Sequence, residues 1–431
     1  MLLDACVHIL FDSTMTNPVH AFANLGKRRA AVALASLQAL VLAARRRREF
    51  ASRRPGTIKI VAQFGVANGI VNGARYQART LRRLGYEVET IDVTEAVKRP
   101  WRRVEASPGG LFVFHCGGPE LPLLAWPLRE VLASGRSIGY FAWESALPPR
   151  GWGLAAPLVD EVWTPSRFAA EALAPVFAAP VLVAPHVVEP LGTPRRWHRE
   201  AGPLRFLGMA DARSSLARKN PLGTIAAFRA AFPREADVRL VMKLKLHERP
   251  GELARLREAA GGDPRIELIA ATLPRDEVDA LFSAAHVFVS LHRAEGFGLP
   301  LLEAMGLGLA TVATGWSGNL EFMREDNSLL VRHRLHTGPD EDGVYGTVTW
   351  AEPDLADAAA RMRQLYEDPA LLHRLIERGW RDCRVETQLR AFQAGVAASR
   401  ALGAAALRAN DPGPLAQVPA AAKLAPVRPA S

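Results

Sequence analysis

Arg293-Ala-Glu295-Gly296-Phe297-Gly298-Leu299-Pro300-Leu-Leu-Glu303-Ala-Met305-Gly306-Leu-Gly308 follows directly on an apolar run, His286-Val-Phe-Val-Ser-Leu291. The run reads as a short buried strand. Gly296 and Gly298 allow a turn in which backbone amides approach a ligand with no Cβ in the way. Leu299, Leu302 and Met305 then recur at helical spacing, and Gly306 and Gly308 punctuate the helix end. Strand, glycine turn and helix N-terminus together form an anion site, because unpaired N–H groups and the helix dipole converge there. Glu295 stands before the helix and Glu303 inside it. Phosphate in the middle with carboxylates for hydroxyls on either flank describes a nucleotide-sugar.

Glu295 and Glu303, with seven residues between them, resemble the paired-glutamate motif of retaining glycosyltransferases of family 4, the group 1 glycosyltransferases. The stretch SLHRAEGFGLPLLEAMGLGLATVATGWSGNLEFM (290–323) is similar to that family over its whole length. The resemblance extends from residue 57 to about 400. GYFAWESALPPRGW (139–152) and VDEVWTPSRF (159–168) resemble the branch that builds bacterial polysaccharides. It implies the glycosyltransferase-B fold: α/β, with two Rossmann-like domains facing across a cleft. The donor would sit on the second domain and the acceptor on the first.

Outward from the motif, the chain alternates strands and helices twice. Strands are expected at 57–61, 88–93, 111–115, 137–143, 160–164 and 181–186. After a Pro/Gly-rich linker at 188–203, more are expected at 204–208, 238–244, 265–270, 286–291 and 309–313. The first domain therefore spans 57–190. The resemblance implies that a helix within 385–405 returns to complete it. The second domain spans 204–384, with a helix starting at Pro274. Asp340-Glu-Asp342 lies in a polar Gly/Pro-rich loop with no buried strand before it and reads as solvated. Trp350-Ala-Glu-Pro353 reads as the opening of a helix reaching Tyr366.

Between the first strand of the second domain and its helix lies Arg213-Ser-Ser-Leu-Ala-Arg218-Lys219-Asn220-Pro221. A basic cluster there can neutralise a diphosphate. ARKNP followed by AAFRAAF is similar to the family segment whose lysine, with an arginine a few residues earlier, holds the donor diphosphate. The resemblance makes Lys219 that lysine, with Arg213 and Arg218 competing for the arginine role. It also implies that Glu295 positions the sugar hydroxyls and Glu303 the ribose, with Gly296, Phe297, Gly298 and Leu299 at the leaving phosphates. In the first domain it implies an acceptor-side glycine loop at 65–73, including Gly69, and a histidine near the transferred sugar, His115. Glu144 is expected to orient an acceptor hydroxyl, and the glycine turn around Asn319 to contact sugar or phosphate.

The 431 residues carry 54 Lys/Arg against 44 Asp/Glu, a net charge of +10. Six of those ten charges come from residues 1–55, so the remainder does not read as a nucleic-acid-binding body. Three widely spaced cysteines exclude a disulfide framework and suit a reducing compartment, which places the protein in the cytoplasm. No His/Cys/Asp cluster has metal-ligand spacing, so no metal and no cofactor beyond the nucleotide-sugar co-substrate is expected.

Residues 1–56 read as a basic extension outside the enzyme proper. Ala30 to Ala44 is apolar with Leu34, Leu37 and Val41 on one helical face; it would reach only ~22 Å as a helix, short of a ~30 Å hydrocarbon core. No small-residue cleavage site follows, so a secretory signal is not expected. The segment is either an amphipathic helix on an anionic membrane surface, through residues 27–54, or a frayed or packed extra helix, or an over-extended start. Residues 409–431 are Ala/Pro/Gly-rich and expected to be disordered. The partners expected are a GDP- or UDP-sugar and a glycan or lipid-linked acceptor. A nucleotide-sugar epimerase on the same fold, or a silent membrane-associated scaffold, remains as an alternative.

Overall fold

A computed structural model describes residues 18–48, 56–66, 68–189, 192–246 and 250–404 of the chain. The tail 409–431 and most of the flanks of the N-terminal helix lie outside the described residues. The chain divides into two units, Met1–Val187 with Gln388–Ser431, and Val188–Thr387.

The first unit is built on β1 (Ile58–Ala62), β2 (Val88–Asp92), β3 (Leu111–His115), β4 (Arg136–Tyr140), β5 (Glu161–Thr164) and β6 (Val181–Val183). All pair in parallel, in the order β2-β1-β3-β4-β5-β6. Both β1 and β3 are buried along their whole length, which is why they read as unbroken apolar runs rather than alternating ones. From Gln388 the chain rejoins this unit. Phe392 packs edge-on to Trp163, and Glu161 accepts from the Ser399 hydroxyl (2.6 Å) and the Ala401 amide (2.9 Å).

The helix Pro18–Arg48 is part of this unit. Its buried side chains are Ala31, Ala35, Gln38, Ala39, Leu42 and Arg46, packed towards the helix Leu121–Ala125 and the turn Trp152–Leu158. This corrects the expected apolar face: Leu37 is 60% and Leu40 70% exposed. Three alanines let the helix backbone approach closely, and Gln38, Leu42 and Arg46 fill the rest of the contact. Arg46, buried, pairs with Asp160 at 2.8 Å, and the same carboxylate oxygen accepts from the Ser137 amide. Among the described residues no helix is long and apolar enough to cross a membrane.

The second unit is built on β7 (Leu204–Asp211), β8 (Val238–Lys245), β9 (Ile266–Ile269), β10 (Val287–Ser290), β11 (Ala310–Thr314) and β12 (Leu329–Val331). Its order is β12-β11-β10-β7-β8-β9, again all parallel. This is the doubly wound arrangement in which strand order reverses between the first strand, β7, and the fourth, β10. Ligands in such sheets bind beyond the carboxyl ends at that reversal. The segment before β7 is less of a free linker than its composition implies. Trp197 is buried, with its indole N–H on the Gly202 carbonyl and its backbone against His373.

Three expectations change here. Residues 333–353 form an antiparallel hairpin, β13 (His333–Pro339) with β14 (Thr347–Pro353). Trp350–Pro353 is therefore strand, and the next helix is Leu355–Glu367, started by Asp354 accepting from the Ala356 and Asp357 amides. The helix at Pro274 begins one residue later, at Arg275, with Pro274 as its cap.

Removing the Leu42 side chain should cost about 2–5 kcal/mol, the range for emptying a packed leucine site. Urea unfolding of Leu42→Ala measures this, and a wild-type midpoint would mean the helix is not integral to the unit.

Candidate active site

Two loops converge beyond the carboxyl ends of β7 and β10. The first leaves β7 through the turn Ala212–Ser214, forms the one-turn helix Leu216–Lys219, and enters the helix Pro221–Ala231. Asn220 links the two helices at φ +49, where its side-chain oxygen accepts from the Gly223 amide (3.1 Å) and its amide donates to the Leu291 carbonyl (3.0 Å). That second bond ties this loop to the end of β10. The other loop carries Glu295 into the helix Leu299–Gly306 through Gly298, at φ +90, a value that favours glycine.

Glu295 is where the loops meet. It is buried; Lys219 Nζ lies 2.5 Å from its Oε1, and Arg218 Nη1 lies 3.3 Å from its Oε2. Burial alone would raise its pKa, but Lys219, then Arg218 and His292, outweigh that and hold it down to about 2. The site thus keeps a carboxylate ionised in a desolvated position. Arg218 is 2% exposed. Its guanidinium also donates to the carbonyls of Ala294 (2.6 Å) and Ser214 (3.0 Å). Arg213 is exposed, and its backbone amide rests on Asp211. The two arginines that compete in the sequence are therefore separated: Arg218 braces the loops from beneath, and Arg213 stands at the surface of the same turn.

The glycine turn at 315–319 holds Glu295 from the other side. Its backbone N–H donates to Ser317 Oγ (2.8 Å), and its carbonyl accepts from the Gly318 amide (2.9 Å). A Cβ on Gly318 would collide with the Gly296 carbonyl, so only glycine fits. Asn319 is fully buried; its amide donates to the Thr314 carbonyl (3.1 Å), and its oxygen faces His292 Nε2 (3.2 Å). Its side chain is thus committed within the unit. Burial lowers the His292 pKa, with the charge of Glu295 opposing that shift. Phe297 packs on Phe322, with centroids 5.2 Å apart. Gly296 and Leu299 flank it, Leu299 opening the helix. Glu303, one turn into that helix, is buried with Oε1 3.3 Å from Arg275.

His115, Gly69 and Glu144 stand in the first unit. His115 ends β3, beside the reversal of that sheet between β1 and β3, but is only 2% exposed. Its ring stacks on Tyr140, and Nε2 lies 2.5 Å from Gln77 Oε1. Burial and then the nearby His186 depress its pKa, so it is a neutral ring in the sheet rather than a side chain in solution. Gly69 opens the helix Gly69–Arg83 behind the capping Asn68, and a Cβ there would meet open space. Glu144 is half-buried in the loop after β4.

Four contributors escape the sequence reading: His292, Ser317, Arg293 and the Asp340/Asp342 pair. Arg293 donates through Nη1 to the Ala217 carbonyl and pairs with Glu352 on β14 at 2.5 Å. Asp340 is buried and accepts three backbone amides, and Asp342 is half-buried, so the solvated reading holds only for Glu341 of the triplet. A usable signal existed in Thr347-Val-Thr-Trp-Ala, where Val348 and Trp350 alternate with polar residues as a half-buried strand does. Among the described residues no group of three His, Cys, Asp or Glu is placed to hold a metal ion.

Residues 214–368 match the family model described as "Glycosyl transferases group 1". The two sheets are those of the glycosyltransferase-B fold. A glycosyltransferase from Rickettsia africae is similar at 14% identity and TM-score 0.56, over 78% of this chain and 96% of that one. HepE from Anabaena, described in complex with UDP, is similar at 12% identity and TM-score 0.54, over 78% of this chain and 98% of that one. The chain spans only 54% of the larger TarM from S. aureus, at 12% identity and TM-score 0.49. No curated protein matches the chain.

Because the Glu295 pKa lies at about 2 in the folded protein against an ordinary 4.5, its contribution is complete above 4.5. It should fade as the pH falls towards 2, by roughly 3 kcal/mol. Urea unfolding from pH 6 down to pH 2 should show the stability gap between wild type and Glu295→Gln closing over that window. A gap that stays constant with pH would mean Glu295 is not held ionised by its neighbours.

Proposed function

We propose that this chain is a retaining glycosyltransferase that moves a hexose-type sugar from a GDP- or UDP-sugar to a glycan or lipid-linked acceptor, in the synthesis of bacterial cell-surface polysaccharide or lipopolysaccharide. One observation carries it: Lys219, Arg218 and Glu295 are gathered at the strand-order reversal of the second sheet, beside the N-terminus of the helix Leu299–Gly306. HepE, a chain of the same fold, is described in complex with UDP, which supports a nucleotide-sugar as the donor.

In this reading the leaving diphosphate gathers negative charge in an oxocarbenium-like transition state, and stabilising that charge is the main task. Lys219 and the exposed Arg213 supply cations. The amides of Gly296 to Leu299 and the helix dipole supply oriented partial charge. Glu295, ionised, takes the sugar hydroxyls, and Glu303 takes the ribose diol. Arg218 keeps Glu295 in place. The acceptor belongs to the first unit, at the carboxyl ends of β1 and β3, where Gly69 and His115 stand, with Glu144 orienting its hydroxyl. The leaving phosphate oxygen is a base available for the acceptor proton. With these cations in place the reaction needs no divalent metal.

The enzyme works in the cytoplasm, on the inner face of the membrane. Val32, Leu37 and Leu40 project from the helix Pro18–Arg48 beside the exposed Arg47 and would enter an anionic lipid surface.

Hydrolysis and transfer assayed over a panel of nucleotide-sugars test the activity. In buffer with EDTA, where the wild type should keep its full rate, Lys219→Ala should lower kcat/KM by ~10² or more; wild-type transfer by this variant would reject the assignment. In flotation with anionic vesicles, Leu37→Glu/Leu40→Glu should move the protein from the bound to the free fraction, and an unchanged distribution would dismiss the membrane contact.

A further inference from the structure

We propose that the hairpin β13–β14 is a positioning device for the diphosphate-binding turn, with Asp342 as the residue that sets it. The proposal rests on the donor-site reading above and goes beyond it, since neither acid of the hairpin loop belongs to the motifs that define the site.

Asp340 shapes the hairpin loop from within. Its carboxylate accepts from the amides of Asp342 (3.1 Å), Val344 (2.7 Å) and Tyr345 (3.0 Å). The loop so formed presents Asp342 to the turn that carries Arg218 and Lys219. Asp342 Oδ2 accepts from the Ala217 amide at 2.8 Å and lies 2.9 Å from Ser215 Oγ. Ser215 Oγ in turn accepts from the Arg218 amide at 3.0 Å.

Ser215 has φ +66, a conformation an L side chain adopts only when its surroundings enforce it. Both aspartates face the Ser215 hydroxyl, Asp340 at 3.2 Å and Asp342 at 2.9 Å, and Asp342 is the main enforcing group because its carboxylate also holds the amide two residues on. Without it, the turn can relax to an ordinary φ and swing the lysine away.

The rest of the hairpin supports the same placement. The Tyr345 ring lies 5.8 Å beneath the Arg218 guanidinium and meets Trp350 edge-on. Trp350 and Val348 pack around Ala294, the residue before Glu295. On β14, the Ala351 amide donates to the Arg293 carbonyl (2.9 Å), and the Arg293 amide donates to the Arg218 carbonyl (2.7 Å). A single antiparallel ribbon therefore touches both loops of the site. It fixes how far Lys219 stands from Glu295 without itself reaching a ligand. Asp342 is a positioning residue, not a catalytic one.

The test uses the full chain and three variants. Asp342→Ala removes both bonds, Asp342→Asn keeps an oxygen for the Ala217 amide, and Ser215→Gly relieves the backbone strain while removing the hydroxyl. Hydrogen exchange of residues 214–219 should quicken about tenfold in Asp342→Ala and in Ser215→Gly, and stay near wild type in Asp342→Asn. UDP affinity by calorimetry should fall about tenfold in the same two variants, with Asp342→Asn restored, while uridine affinity is unchanged. Wild-type exchange in both Asp342→Ala and Ser215→Gly would overturn the proposal. So would equal losses of UDP and uridine, which mark general damage rather than a displaced diphosphate grip. If Asp342→Ala does not fold, Ser215→Gly decides by the same readouts. Should the wild type bind neither UDP nor GDP, the donor reading falls, and the exchange rates alone judge the hairpin.

Discussion

A carboxylate buried between a lysine and an arginine is the constraint on which the second unit depends. Glu295 cannot lose either partner cheaply, since an uncompensated buried charge costs several kcal/mol. Lys219 and Arg218 come from the loop after β7, and Glu295 from the loop after β10. Because those strands are neighbours in the sheet, the ion cluster needs no long reach. It does need both loops in one conformation. Among the described residues, the three non-glycine ones with positive φ, Ser215, Asn220 and Ser317, all belong to segments that hold this cluster. Each is fixed by side-chain hydrogen bonds to a neighbouring segment. Strain of this kind persists only where the surroundings over-determine it, and here they do.

The two units use one architecture with different chemistry at the sheet reversal. In the second unit the groups there are ionised and paired. In the first unit they are buried and neutral: His115 on Gln77, Tyr140 on the Ala184 carbonyl, and His186 with its pKa pressed down to about 3 by burial. Gly73 makes room for His186, since a Cβ there would lie 2.6 Å from the ring. A charged end suits a diphosphate, whereas a neutral, aromatic end suits a sugar or other polyhydroxyl group. The difference follows from burial and partner choice, not from strand order, which is nearly the same in both sheets.

Most of the fold was legible because parallel strands buried on both faces must be continuous apolar runs. The runs at 111–115, 286–291 and 309–313 could hardly be anything else. The hairpin at 333–353 was not legible in this way. Its outer strand is exposed along most of its length, so burial left only the weak alternation of Val348 and Trp350. The Asp340-Glu-Asp342 triplet misled for a related reason. Acids in a Gly-rich loop are usually solvated, but here Asp340 accepts amides of its own loop and Asp342 accepts the Ala217 amide from a turn 125 residues earlier in sequence. The sequence did not settle which face of the N-terminal helix is buried: Leu34, Leu37 and Val41 share one face, yet the buried residues are Ala31, Ala35, Gln38, Ala39, Leu42 and Arg46.

By itself the sequence determined the alternation of strands and helices, the glycine turn that ends in the helix Leu299–Gly306, and the set of charged residues around it. Periodicity and steric freedom are local properties, written in neighbouring residues. The tertiary structure alone decided which arginine lies beneath Glu295, that His115 is a neutral ring within the sheet, and that two distant aspartates hold the turn carrying Lys219. Those outcomes depend on desolvation and on partners brought from far along the chain. A side chain's charge state and bonding are set by what folding places around it.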